Sequence, residues 1–323
     1  MSKESARDQI VAFPEQFYKV KVPKIKAELS SVKGIVIVGM GGSALSGEIL
    51  KNYLEYKKIK IPVHIIREYH IPEYVDKHYL IFVQSYSGST EETISCLRDC
   101  YSKKLNTIVI SSGGYIKELA DKYNFPFVEL PKGYQPRLAL GYFLFAELSL
   151  LEELLSLNLD AELELLKMVN WKNHEEYGRQ LAEKINATPI IYASYSLSSV
   201  AMIWKALINE CSKQACFFNF FSELNHNEMV GFTLSKDYYV IILQDVEDHY
   251  RIKKRMELFQ DIMKKMEIKT VIISFKGSSY LSRVLSLIHI GMWVSYYLAI
   301  KNEVDPEKVE IIEDFKRKLG KFI

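Results

Sequence analysis

Short apolar runs punctuate the chain at regular intervals, each ending near glycine or serine and each followed by a helical pattern. In the first half they are Gly34–Val38, Val63–Ile66, Tyr79–Val83, Asn106–Ile110 and Phe127–Leu130, with helical stretches such as Ser46–Tyr56 and Glu91–Lys103 between them. The runs are continuously apolar rather than alternating, the mark of strands covered on both faces, so strand–helix alternation predicts a parallel sheet flanked by helices. The second half repeats the pattern in fainter form. Ile190–Ala193 answers Ile35–Val38, Tyr238–Leu243 answers Tyr79–Val83, and Thr270–Gly277 (TVIISFKG) answers Thr107–Gly114 (TIVISSGG), in the same order and at nearly constant spacing. Matches that keep their order predict two α/β units of similar topology.

Leu150–Met168, rich in Leu and Glu, reads as a helical connection and divides the chain into residues 1–155 and 156–323. A terminal helix is predicted over Asp305–Ile323. Asp305 suits its N-cap, Pro306 its first position, and Val309, Ile312, Phe315 and Leu319 share one face. The fold class expected is therefore α/β, with two doubly wound domains, parallel sheets between helices, and a C-terminal helix.

Composition removes several classes of function. Among 323 residues, 42 Lys and Arg against 40 Asp and Glu leave a net charge of +2, far from the basic excess of a nucleic-acid binder. Cys96, Cys100, Cys211 and Cys216 form no C-x-x-C pair, and the seven histidines are scattered, so neither a disulfide framework nor a cysteine zinc site is expected. The opening MSKESARDQI is polar and unlike a secretory leader. Val284–Ile300 is apolar but interrupted by Ser286, His289 and Ser295, which reads as a buried core helix rather than a membrane span. A cytoplasmic protein is expected.

Two loops of the first half carry candidate chemistry. Gly39-Met40-Gly41-Gly42-Ser43-Ala44 follows a strand and precedes a helix, where glycine lets the backbone approach a ligand and the helix N-terminus supplies N–H donors. Read as G-x-G-x-x-A it also fits a dinucleotide fingerprint, with Glu68 available for a ribose but Arg67 beside it. Any strand–helix turn favours glycine as well. Ser85-Tyr86-Ser87-Gly88-Ser89-Thr90-Glu91-Glu92-Thr93 sits at a second such junction. Its dense hydroxyls suit a phosphate monoester, whose three oxygens need several donors. No G-x4-G-K-[ST] occurs, so a nucleoside-triphosphate P-loop is excluded. A serine N-cap with a capping acid is the plain alternative.

The second loop resembles the phosphate-binding signature of the SIS (sugar isomerase) domain, and G-M-G-G-S-A resembles the first loop of those domains. Asn209-Glu210 and Glu223-Leu224-Asn225-His226-Asn227-Glu228 resemble motifs of the bifunctional phosphoglucose/phosphomannose isomerases, which are two-SIS-domain enzymes. The resemblance implies a cofactor-independent and metal-independent isomerase of glucose and mannose 6-phosphates. Ser85, Ser87 and Thr90 would anchor the phosphate; Gly41, Gly42 and Ser43 would contact the sugar. Glu210 would be the base that moves a proton between C1 and C2. His226 would act from a neighbouring subunit, implying a homodimer, with its tautomer set by Asn225 and Asn227. Lys316, with Lys308 and Lys318 as competitors, would assist ring opening, and Arg137 in Gln135-Pro136-Arg137 would stabilise the enediolate. Two positions depart from the pattern. Ser222 stands where many relatives have proline, and Val309-Glu310 stands where some carry Thr-Pro, which removes a hydroxyl. A non-catalytic sugar-phosphate regulator is the alternative from another class; it would have no use for Glu210 or His226.

Overall fold

The computed structural model describes residues 5–25, 29–320 and 322. It divides into two compact units, residues 1–164 with 316–323, and residues 165–315.

The first unit holds a five-stranded parallel sheet in the order β2-β1-β3-β4-β5. The strands are β1 (Gly34–Val38), β2 (Val63–Ile66), β3 (Tyr79–Ser85), β4 (Asn106–Ser111) and β5 (Phe127–Glu129). The helices are α1 (Ala6–Val11), α2 (Gly42–Tyr56), α3 (Glu91–Ser102), α4 (Tyr115–Tyr123), α5 (Leu140–Leu151) and α6 (Leu159–Lys167). Apolarity on both faces explains the uninterrupted strands. Val36, Val38, Ile81, Val83 and Val109 pack against Ile94, Leu97 and Cys100 of α3 and Ile116 and Leu119 of α4. On the opposite face α2 lies so close that a Cβ at Gly47 would meet Ile65 and Ile37 at 2.8 and 2.9 Å.

The second unit has a four-stranded parallel sheet in the order β7-β6-β8-β9: β6 (Thr188–Ser194), β7 (Phe217–Phe221), β8 (Tyr238–Gln244) and β9 (Lys269–Ser274). Its helices are α7 (Asn173–Lys184), α8 (Ser198–Ser212), α9 (Tyr250–Lys265), α10 (Tyr280–Lys301) and α11 (Glu310–Leu319), the last of which runs on into the first unit's closing segment. Strand for strand, β7-β6-β8-β9 reproduces β2-β1-β3-β4. α10 is long and apolar enough to cross a membrane, but most of its side chains are buried, and it packs against α7 and α8. Its Gly291 accommodates the Trp204 indole, whose Nε1 donates to Leu287 O at 2.8 Å.

Three local expectations differ from what is observed. β7 is a strand outside the apolar runs picked out in the second half, because FFNFF has no punctuating glycine. The Leu150–Met168 connection is two helices separated by a turn, with Glu152 Oε1 accepting the Leu159 N–H at 3.1 Å. The terminal helix starts at Glu310 rather than Asp305, because Asp305 Oδ1 accepts the Glu307 N–H (2.8 Å) and closes a turn there instead of capping a helix.

Candidate active site

In the first unit the chain runs from β1 outward to β2, then crosses to β3 on the other side of β1. The loops after β1 and β3 therefore diverge at a topological switch point, where open parallel sheets bind ligands. These are the two loops singled out in the sequence.

The loop after β3 is built to present donors. Ser85 Oγ and Thr90 Oγ1 are 2.9 Å apart, and the Gly88 N–H reaches Ser85 Oγ at 3.1 Å. Ser87 is exposed, and Ser89 Oγ donates to its hydroxyl at 3.2 Å. Thr90 precedes α3 without giving it a side-chain cap, so the first N–H groups of that helix remain available to an anion. Gly88 holds the bend at φ +69°, and a Cβ there would fall 1.9 Å from Gly113 O, a position no other residue can take. The loop after β4 supports it from below. Ser111 Oγ donates to Ser85 O (2.5 Å) and Ser112 Oγ to Tyr86 O (2.6 Å).

Contacts between distant segments complete the arrangement. The Tyr86 N–H donates to Ser43 Oγ at 3.1 Å and joins the two loops directly. The Tyr86 hydroxyl donates to Pro131 O (2.8 Å) and accepts the Tyr134 N–H (2.9 Å); burial pushes that phenol up to about 12, so it stays a neutral bridge. A Cβ on Gly42 would lie 2.6 Å from Pro136 O and 2.9 Å from Arg137 Cα. The close approach seats the buried Arg137 turn against the first loop. Gln9 and Gln16, both fully buried, hold that turn: Gln9 Oε1 accepts the Gln135 N–H (2.8 Å) and Gln16 Nε2 donates to Leu138 O (2.7 Å). Sequence reasoning missed Gln9, Gln16, Tyr86 and Ser111, since nothing local marks a residue whose partner is far along the chain. Gly41, Gly42, Ser43, Ser85, Ser87, Thr90 and Arg137 thus fall on interlocked loops of one unit.

The equivalent loop of the second unit, after β8, carries carboxylates instead. Arg283 pairs with Asp245 (3.0 Å) and Glu247 (3.1 Å), and Asp248 accepts from Ser196 Oγ at 3.0 Å while burial pushes its carboxyl up. The hydroxyl-rich sequence of the loop after β3 is not repeated there.

Glu210 is half-buried in the last turn of α8. It lines a cleft of about 680 Å³ with Asn209, Lys308, Val309 and Glu310, among others. Lys213 closes the helix end, donating to Glu210 O (2.7 Å) and Asp305 O (2.7 Å). The departing Val309-Glu310 pair therefore shares the cleft with Glu210. His226 is exposed in the short turn Glu223–His226 after β7. Since α8 runs against the strands, Glu210 lies at the edge where β7 begins and His226 at the edge where it ends, roughly 15 Å apart along the strand. Asn225 and Asn227 do not fix the His226 ring as expected, because Asn225 accepts from Arg255 (3.2 Å) and Asn227 donates to Glu223 (2.7 Å). Glu228 instead anchors the turn, accepting from Tyr192 OH (2.6 Å) and from Asn219. The Phe221–Ser222 peptide that enters the turn is cis. Lys316 is exposed on α11.

Two parallel sheets between helices, with a hydroxyl-rich loop at the switch point of the first, give a two-unit α/β protein of the SIS class. Residues 174–319 match the family described as the bacterial phospho-glucose isomerase C-terminal SIS domain. A bifunctional phosphoglucose/phosphomannose isomerase of Aquifex aeolicus is 33% identical, with 97% of this chain and 99% of that protein aligned. Another, from Caldicellulosiruptor bescii, is 36% identical over 97% and 98%. The chain belongs to the bifunctional phosphoglucose/phosphomannose isomerase family. Among solved structures, a hypothetical protein from Thermus thermophilus shares the fold with a TM-score of 0.72 at 16% identity, covering 97% of this chain and 86% of that one.

Proposed function

We propose that the protein interconverts glucose 6-phosphate and mannose 6-phosphate with fructose 6-phosphate by proton transfer through a cis-enediol. The observation that carries this reading is the braced Ser85–Thr90 loop at the switch point, in a chain of this family. Ser85, Ser87, Thr90 and the start of α3 hold the phosphate, and that remote binding energy orients the reacting carbons. Gly41, Gly42 and Ser43 contact the sugar. Glu210 takes the C2 proton of the open aldose, and the electrons form the C1–C2 enediolate. Its carboxyl then returns the proton to C1 while a proton passes from O2 to O1, leaving the carbonyl at C2. Arg137 stabilises the enediolate with a charge that cannot be lost. Loss of the C2 stereocentre admits both epimers. His226, from a second copy of the chain, and Lys316 assist ring opening. The separation of Glu210 and His226 across the sheet supports a contribution in trans.

The test is a coupled assay reading fructose 6-phosphate from each sugar separately, beside Glu210→Gln. Turnover of both sugars is expected, with a loss of about 10²–10⁴-fold in the variant. Sugar-phosphate binding without turnover would leave a regulator instead.

A further inference from the structure

Glu147 of α5 is 0% exposed and takes no part in the chemistry above. Its Oε1 accepts two hydrogen bonds, from Ser46 Oγ at 2.6 Å and from Gln84 Nε2 at 2.7 Å, and both partners are themselves fully buried. Oε2 has no hydrogen-bond partner among the described residues. Ser46 lies one helical turn along α2 from Ser43, and Gln84 directly precedes Ser85 on β3. One carboxyl therefore ties together the two elements that end in the two ligand loops, just beneath the Tyr86–Ser43 bond that joins the loops themselves.

Stability does not account for such a group. A buried carboxyl with a half-unsatisfied head costs free energy that an apolar residue of similar size would not. We propose that Glu147 is a positioning residue for the sugar-phosphate site: by holding Ser46 and Gln84 on one oxygen, it sets the loop at Gly39–Ser43 against the loop at Ser85–Thr90. The inference rests on the phosphate-binding reading of those loops. It assigns Glu147 a part in ground-state geometry, so its removal acts on affinity before turnover.

The experiment measures inorganic phosphate binding by calorimetry, together with KM and kcat for glucose 6-phosphate, in wild type, Glu147→Leu, Glu147→Gln and Ser46→Ala. Leucine breaks both bonds; phosphate Kd and KM are expected to rise about tenfold while kcat stays within about threefold. Glutamine keeps an acceptor oxygen and is expected to recover most of the affinity. Ser46→Ala removes one arm and carries the test if the leucine variant fails to fold, with an expected rise of about threefold. Unchanged Kd and KM in a folded Glu147→Leu or Ser46→Ala, or a glutamine variant as weak as leucine, would overturn the clamp alone. A wild type that neither binds phosphate nor turns over either sugar would overturn the functional reading beneath it.

Discussion

Glu147 also shows how far one side chain can shape the response of the protein to pH. Burial pushes its carboxyl up to about 7, and the bonds from Ser46 and Gln84 oppose that only in part; no charged group contributes. Between the ordinary carboxylate value near 4.5 and about 7, the folded chain holds a proton that the unfolded chain has lost. The cost of burying this group is therefore smallest below about 4.5 and complete above about 7, so the stability of the fold falls across that interval by on the order of 3 kcal/mol in total. Urea midpoints of the first unit's transition, compared at about pH 5 and about pH 8, should show that fall in wild type and a flatter profile in Glu147→Gln. At this scale the sequence is legible wherever side chains of one chemistry cluster locally. Ser85, Ser87 and Thr90 stand together in the string and together in space. Glu147 resembles any other residue of an apolar helix, and its meaning comes from Ser46 and Gln84, far away in the chain.

At the scale of elements, the loop after β3 depends on a close fit with the loop after β4. Gly88→Ala should be strongly destabilising, because a methyl group meets Gly113 O at 1.9 Å and the φ of +69° is already unfavourable for alanine. A loss of about 1–3 kcal/mol is expected, together with weakened phosphate binding, read by thermal melting and by calorimetry. Strands buried on both faces were the most readable elements, since continuous apolar runs bounded by glycine have few other uses. β7 was not readable that way: it is an edge strand of aromatics whose Phe217 is 55% exposed, and its role as the counterpart of β2 emerges only from pairing with β6. The start of α11 shows the reverse error, where an Asp-Pro pair with good capping chemistry forms a turn instead.

For the whole molecule, the opposite placement of Glu210 and His226 makes the trans contribution testable without a structure of the assembly. Glu210→Gln and His226→Gln should each be nearly inactive as homodimers. Mixed after reversible dissociation, half the dimers are hybrids with one intact site, so about a quarter of wild-type activity should return. If both residues serve the same chain's site, mixing restores nothing. Some of this protein was determined by the sequence alone. Periodicity and strand repetition dictated two parallel α/β units, because burial on two faces leaves a signature in any single strand. The hydroxyl-rich loop between β3 and α3 was legible as well, because its side chains are neighbours in the chain. Tertiary structure decided the rest. It seated Arg137 on Gly42 through Gln9 and Gln16, assigned Glu228 to anchoring the turn, gave the second unit a carboxylate-lined switch point, and put a buried carboxyl beneath the first. Each depends on which distant side chains share a low-dielectric interior, and proximity of that kind is settled only when the chain is folded.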